Sequence, residues 1–110
     1  MSKRESEDMI IVMGYAKTAP GDLDRLGDAM KAQLAATNAE DGCEYYCFAR
    51  DVNDPDTLLI SERWRDQAAI DAHFGSAHMA IFNAALKTAT ITALSVKAYE
   101  NGDVRTLIGQ

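Results

Sequence analysis

Residues 62–83 read E-R-W-R-D-Q-A-A-I-D-A-H-F-G-S-A-H-M-A-I-F-N, and this stretch predicts the end of a strand followed by a helix in two pieces. Asp66 is a typical N-cap residue for the first piece, because its side chain can accept a hydrogen bond from the first turn. Gly75 is suited to end that piece, and Ser76 can cap the second. The stretch therefore predicts a strand that passes into a broken helix.

The same stretch contains the chain's only tryptophan and both of its histidines, His73 and His78. Residues 57–65 alternate as in a strand, and this alternation places Glu62 and Trp64 on one face. The segment combines the Glu62 carboxylate with two imidazoles and an indole within 22 residues. We expect it to form the wall of a small-molecule pocket.

Working outward, alternating apolar runs and turn signals predict three more long strands, one short strand and one more helix. Pro20-Gly21, Asp41-Gly42 and residues 53–56 provide the turns. The predicted order is β-α-β-β-α-β, which is the ferredoxin-like split βαβ arrangement of the α+β class, with an antiparallel sheet and helices on one face. The predicted elements are strands at Met9–Thr18, Cys43–Val52, Thr57–Arg65 and Thr90–Tyr99, a helix from Asp22 to about Asn38, a turn at Asn101-Gly102 and a short fifth strand at Val104–Ile108.

Both faces of the predicted sheet carry apolar side chains. In the first strand, Ile10 and Val12 point one way, and Met9, Ile11 and Met13 point the other. Helices can cover only one of these faces, so the other face needs a second partner. A second copy related by a two-fold axis is the simplest one. We therefore expect a homodimer formed through the sheet.

Length and charge limit the possible functions. A chain of 110 residues corresponds to one domain, which we place at residues 9–110 after a charged, disordered tail at residues 1–8. A net charge of −6 and a pI near 4.7 argue against binding to nucleic acid or to an anionic membrane. No apolar run approaches the ~20 residues of a transmembrane helix, and the N-terminus lacks the apolar core of a signal peptide. The cytoplasm is the expected location.

Two cysteines, Cys43 and Cys47, lie four residues apart in the second predicted strand. At about 3.3 Å per residue their α-carbons would be ~13 Å apart, beyond the ~7 Å limit for a disulfide. We expect free thiols packed as small apolar groups.

Three segments resemble the antibiotic biosynthesis monooxygenase family, and in particular its small quinol monooxygenase-like members. They are E-D-G-C-E-Y-Y at residues 40–46, E-R-W-R-D at residues 62–66 and A-H-F-G-S-A-H-M at residues 72–79. The resemblance implies a dimeric ferredoxin-like α+β barrel. It also implies oxidation of a small aromatic quinol or polycyclic phenol by O₂, with no metal and no other cofactor.

The same family contains haem-degrading enzymes, and this chain departs from their pattern. Those enzymes use an asparagine on the first strand, a tryptophan on the first half of the broken helix and a haem-ligating histidine ten residues later. This chain has no asparagine in its first strand, and it has His73 and Asn83 at the other two positions. A haem function is therefore not expected.

Oxidation of a phenol without a cofactor requires a base in a dry pocket, because the phenol must lose a proton before it readily gives an electron to O₂. Histidine is the natural base near neutral pH. We predict that His73 is the catalytic base and that Glu62 accepts a hydrogen bond from it, fixes its tautomer and raises its basicity. The predicted substrate-binding residues are Trp64, Tyr45, Phe48, His78, Met79, Phe82 and Asn83.

Other interpretations remain open for these residues. His73 can be a structural, hydrogen-bonded histidine, and Trp64 can be part of the core. The spacing of His73 and His78 is not that of a helical metal-binding pair. The chain could also be an isomerase or other proton-transfer enzyme acting on a small carbonyl compound, or a non-catalytic dimeric ligand-binding module.

Overall fold

The computed structural model describes residues 8–100 and 104–109. Four antiparallel strands form one sheet in the order β2-β3-β1-β4, and the predicted ferredoxin-like α+β fold with helices on one face is confirmed. The elements are β1 (Ile10–Thr18), α1 (Asp22–Arg25), α2 (Gly27–Asn38), β2 (Cys43–Asp51), β3 (Asp54–Trp64), α3 (Gln67–Phe74), α4 (Ala77–Leu86) and β4 (Ile91–Tyr99).

The two faces of the sheet differ as the alternation of β1 predicts. Ile10 and Val12 are buried, and they pack with Trp64 of β3 in the main core cluster beneath the helices. Met13 and Tyr15, which point the other way, are 54% and 40% exposed. The helices therefore cover one face only and leave the other largely apolar and open.

The segment predicted as one helix from Asp22 to about Asn38 forms two helices, α1 and α2. Leu26, between α1 and α2, has φ −89° and ψ 6°, so the helical hydrogen-bond pattern is interrupted there. Leu23 and Leu26 are nonetheless both buried, because the break turns the chain without moving its apolar face away from the sheet. The prediction of the apolar face is thus correct and the prediction of one continuous helix is wrong.

The predicted fifth strand at Val104–Ile108 is wrong. Residues 104–109 are in neither helix nor strand, and their side chains are exposed. The outer edges of β4 and β2 are both unpaired among the described residues, so residues 104–109 form none of the ladder hydrogen bonds that define a strand. The predicted Asn101-Gly102 turn, and residues 1–7 of the predicted tail, lie outside the described residues.

A β-bulge near the start of β2 changes the expected faces of the two cysteines. The register shifts between Cys43 and Tyr45, so Cys43 lies opposite Trp64 and Cys47 opposite Ser61. The two thiols, both free, therefore point to opposite faces of the sheet.

Candidate functional site

A cavity of about 560 Å³ lies between the helix-covered face of the sheet and helices α3 and α4. Most of its lining is aliphatic or aromatic, and the few polar groups include Glu62, His73 and Asn83. The rings of Phe48 and Phe82 stack in its wall with centroids 5.6 Å apart and planes 21° apart. An apolar cavity with a few convergent polar groups is the usual form of a small-molecule site.

Local capping interactions place the broken helix over this cavity. The carboxylate of Asp66 accepts a hydrogen bond from Ala69 N at 2.9 Å and begins α3. The hydroxyl of Ser76 accepts one from Met79 N at 3.2 Å and begins α4. Both caps agree with the prediction from the sequence.

His73 is the most deeply buried ionisable group in the cavity wall, with a side chain that is 3% exposed. Its Nδ1 lies 2.7 Å from Oε2 of Glu40, which is 33 residues earlier in the chain. Its ring centroid is 4.8 Å from that of Trp64 and 5.5 Å from that of Tyr46. Because Glu40 occupies Nδ1, the nitrogen left for a ligand is Nε2.

Glu62 does not have the partner that we predicted. Its Oε1 accepts a hydrogen bond from Trp64 Nε1 at 2.8 Å, whereas the carboxylate bonded to His73 is that of Glu40. Glu62 and Trp64 are two residues apart on the same strand face, so the indole N–H reaches the carboxylate directly. Glu62 still lines the cavity, and its pKa is raised because burial disfavours the charged form.

Glu40 brings the two histidines together. Its Oε2 lies 3.1 Å from His78 Nε2 as well as 2.7 Å from His73 Nδ1, and His78 Nε2 is also 3.3 Å from Ser76 Oγ. Side-chain exposure rises from 3% at His73 to 15% at Glu40 and 25% at His78. The cluster thus runs from the cavity wall toward the surface.

The same three residues are the one set within residues 8–100 and 104–109 whose donor atoms lie close enough to suggest a metal site, within 4.8 Å of one another. Nitrogen and oxygen ligands about 2.0–2.2 Å from a tetrahedral ion are ~3.3 Å apart. The 2.7 Å separation of Glu40 and His73 is instead that of a charge-assisted hydrogen bond. We therefore interpret the cluster as hydrogen-bonded.

Four of the predicted substrate-binding residues, Phe48, Met79, Phe82 and Asn83, line the cavity. The other three do not. Trp64 is 0% exposed and lies in the core. Tyr45 is 49% exposed and lies on the opposite face, where it pairs with Arg63. His78 lies behind the cavity wall, against Glu40.

Tyr46 and Glu40 are site residues that the sequence did not reveal. Tyr46 lines the cavity, and burial raises the pKa of its hydroxyl to about 12, so the phenol stays protonated at neutral pH. Regular alternation from Cys43 would turn Tyr45 inward, and the bulge at the start of β2 turns Tyr46 inward instead. Glu40 lies in the loop between α2 and β2, and no spacing in the sequence relates it to His73.

Comparison with known proteins agrees with the fold. Residues 9–85 match the model of a family described as antibiotic biosynthesis monooxygenase. The chain belongs to this family. None of the helices in the described part of the chain is both long and apolar enough to span a membrane.

The chain is also similar to individual proteins of known sequence or structure. The chain is 27% identical over 70 residues to the Bacillus subtilis protein named "Putative monooxygenase YcnE", an alignment that covers 64% of this chain and 74% of that protein. It is 28% identical to a crystal structure described as a "putative antibiotic biosynthesis monooxygenase" from Deinococcus radiodurans, with a TM-score of 0.82 over 91% of this chain and 99% of that one. A conserved protein from Methanosarcina mazei shares the fold at 21% identity, with a TM-score of 0.81 over 89% of this chain and 97% of that one.

Proposed function

We propose that this protein is a monooxygenase that oxidises a small aromatic quinol or polycyclic phenol with O₂ in the cytoplasm, with His73 as the catalytic base and no bound cofactor. Membership of the family supports a monooxygenase-like function. The observation that carries the finer proposal is the position of His73, which lines an apolar cavity while a carboxylate occupies its Nδ1. This arrangement leaves one basic nitrogen for a substrate hydroxyl.

In the proposed reaction the hydroxyl proton of the substrate moves to Nε2 of His73, and a phenolate remains. The phenolate gives one electron to O₂, and the resulting phenoxyl radical and superoxide combine at a ring carbon to form a peroxide. The proton held by His73 returns to the peroxide. Cleavage of the O–O bond, with loss of the C–H proton from the same carbon, leaves a quinone carbonyl and one water. One oxygen atom of O₂ thus enters the product and the other is reduced.

The shape and polarity of the cavity support an aromatic substrate. Phe48 and Phe82 provide stacked rings against which a planar molecule can pack. Glu62 and His73 provide the acidic and basic groups that a phenolic hydroxyl would meet. A largely apolar lining offers water few hydrogen-bond partners beside the radical pair, which favours recombination over release of superoxide.

Oxygen uptake with a graded panel of substrates tests this proposal. The panel would contain a monocyclic hydroquinone, a naphthalenediol and a tricyclic anthrone-type phenol, each assayed with the wild type and with His73→Gln. We expect uptake with at least one of them, and a loss of roughly 100-fold or more in His73→Gln, since general base catalysis contributes about 10²–10⁴. Absence of uptake over the whole panel, or uptake unchanged in the variant, would overturn the proposal.

One observation favours a second candidate, proton-transfer chemistry on a small carbonyl compound. Glu62, whose pKa is raised by burial, and His73 form a pair of ionisable groups in one cavity, as acid–base enzymes require. Hydrogen–deuterium exchange into a carbonyl compound without O₂ would distinguish this reaction from oxygenation. A cavity filled with side chains would favour the third candidate, a non-catalytic dimeric ligand-binding module, and here about 560 Å³ remains open.

We also propose that the protein is a homodimer formed through the uncovered face of the sheet. Met13, Tyr15, Tyr45, Leu59 and Tyr99 are between 38% and 54% exposed on this face. Large contiguous apolar patches of this kind are uncommon on monomers and typical of interfaces.

A further inference from the structure

We propose that Glu40 is the positioning residue of His73, and that His78 in turn holds Glu40 in place. As far as it concerns catalysis, the proposal rests on the function proposed above for His73. It adds two residues to that function, and neither of them lines the cavity. It also assigns to Glu40 the role that the sequence suggested for Glu62.

The backbone around Glu40 is held firmly. Glu40 N donates to Thr37 O at 3.0 Å, and Glu40 O accepts from Cys43 N at 3.2 Å, so both of its backbone polar groups are bonded within the turn between α2 and β2. The side chain extends from this turn toward α3 and is only 15% exposed. A carboxylate fixed in this way can orient a neighbouring ring instead of following it.

The contact with Nδ1 determines which nitrogen of His73 is basic. An ionised carboxylate only accepts hydrogen bonds, so at 2.7 Å it selects the tautomer with the proton on Nδ1. The lone pair then belongs to Nε2. Without Glu40 both tautomers would be available, and only one of them would present a base to the substrate.

The same contact makes it possible for His73 to carry a proton during the reaction. Its side chain is 3% exposed, and an isolated charge at such a depth is strongly disfavoured. A carboxylate within hydrogen-bond distance compensates that loss of solvation. Glu62 also faces His73, but its hydrogen bond goes to Trp64, and its charged form is disfavoured by burial. Glu40 is therefore the better counter-ion.

His78 completes the cluster from the surface side. Its Nε2 lies 3.1 Å from the carboxylate oxygen that His73 contacts, and 3.3 Å from the Ser76 hydroxyl that caps α4. Two hydrogen-bond donors on the same carboxylate oxygen restrict the orientation of the carboxylate more than a single donor does. Because His78 is in the first turn of α4 and 25% exposed, it links the orientation of Glu40 to the position of that helix.

Histidine NMR tests the tautomer without any substrate. Long-range ¹H–¹⁵N spectra of ¹⁵N-histidine-labelled protein, recorded where His73 is neutral, should show Nδ1 protonated and Nε2 unprotonated in the wild type. In Glu40→Leu, which removes the acceptor, the population with a protonated Nδ1 should fall. A wild-type His73 with its proton on Nε2, or a tautomer unchanged in Glu40→Leu, would overturn the proposal.

Kinetics test the consequence for catalysis, with the substrate identified by the oxygen-uptake panel. Glu40→Gln keeps an acceptor oxygen but removes the charge, so kcat should fall roughly 10- to 100-fold while KM changes less than about threefold, since Glu40 does not touch the cavity. Asp41→Asn is the matched control, because it removes one charge from the same loop at a side chain that is 92% exposed. The proposal fails if Glu40→Gln keeps the wild-type kcat or behaves as Asp41→Asn does.

The two experiments separate the two proposals. If the panel shows no oxidation at all, the proposed function fails, and the NMR result alone decides the positioning role of Glu40. If oxidation depends on His73 but not on Glu40, the function stands and the positioning role is wrong. Circular dichroism of each variant confirms that the fold is retained.

Discussion

The carboxylate of Glu62 lies 2.8 Å from the indole N–H of Trp64, two residues further along the same strand. Trp64 is completely buried, so its N–H needs an acceptor inside the protein, and Glu62 provides it. The carboxylate is itself taken partly out of water, and its pKa is raised as a result. This hydrogen bond thus provides the buried indole N–H with an acceptor and places an ionisable carboxylate in the cavity wall.

Glu62→Gln should make the protein less sensitive to pH. Because the pKa of Glu62 is raised in the folded state, the folded protein binds this proton more tightly than the unfolded chain does. The free energy of unfolding is therefore reduced as pH rises from the unfolded value, about 4.3, through the folded one. Glutamine keeps an acceptor for Trp64 and has no charge to bury.

Urea unfolding of Glu62→Gln and wild type at pH 4 and pH 7, followed by the fluorescence of Trp64, measures this effect. The stability of the variant relative to wild type should be greater at pH 7 than at pH 4. A difference that is the same at both pH values would contradict the prediction.

Gly14→Ala should disrupt the pairing of β1 with β4. A Cβ at Gly14 would collide with the backbone oxygen of Ser95 and lie 2.9 Å from Val96 Cγ2. Backbone cannot move aside as a flexible side chain does, so we expect a loss of about 3 kcal/mol, the upper end for overpacking. Gly27→Ala is the control, since nothing lies within 4 Å of its Cβ position, and it should gain about 0.4–1 kcal/mol. Equal stability of the two variants in thermal unfolding would contradict the prediction.

Leu59→Lys should weaken the proposed dimer. Leu59 lies opposite Tyr15 in the β1–β3 pairing, on the uncovered face, and is 38% exposed. A lysine there would bury an unpaired charge between two sheets, which costs several kcal/mol. Light scattering coupled to size-exclusion chromatography should show a dimeric wild type and a shift toward monomer in the variant. Val52→Lys is the control, and because this residue is 98% exposed the variant should have the same mass as the wild type. If Leu59→Lys also keeps the wild-type mass, the proposed interface is wrong.

Phe48→Leu should weaken the binding of planar aromatic ligands more than that of aliphatic ones. Stacking beyond simple burial is worth about 0.5–1.5 kcal/mol, which corresponds to a roughly 2- to 13-fold rise in Kd. An oxidised tricyclic quinone and a saturated tricyclic alcohol of similar volume, titrated by calorimetry, provide the comparison. A loss of affinity equal for both ligands would mean that Phe48 contributes bulk and not an aromatic surface.

The sequence predicts well the parts of the fold that local chemistry controls. Alternation in β3 placed Glu62 and Trp64 on one face, and both are on the face beneath the helices. The caps at Asp66 and Ser76 were predictable because each side chain bonds to a backbone N–H three residues away. The break at Leu26 was not, since its apolar stripe continues through it.

The candidate site was less predictable, because its contacts join distant parts of the chain. The alternation of residues 57–65 and the capping of α3 predicted that Glu62 and His73 face the same cavity. They could not predict that the indole N–H of Trp64 would hydrogen-bond to the carboxylate of Glu62. The carboxylate that meets His73 comes from Glu40, 33 residues away, and a bulge after Cys43 decides that Tyr46 and not Tyr45 faces inward. By itself, the sequence determined the four strands of the sheet, the caps of α3 and α4 and the family, since periodicity and capping act over three or four residues. Only the tertiary structure decided which carboxylate pairs with His73, because that choice depends on how a loop after α2 packs against α3.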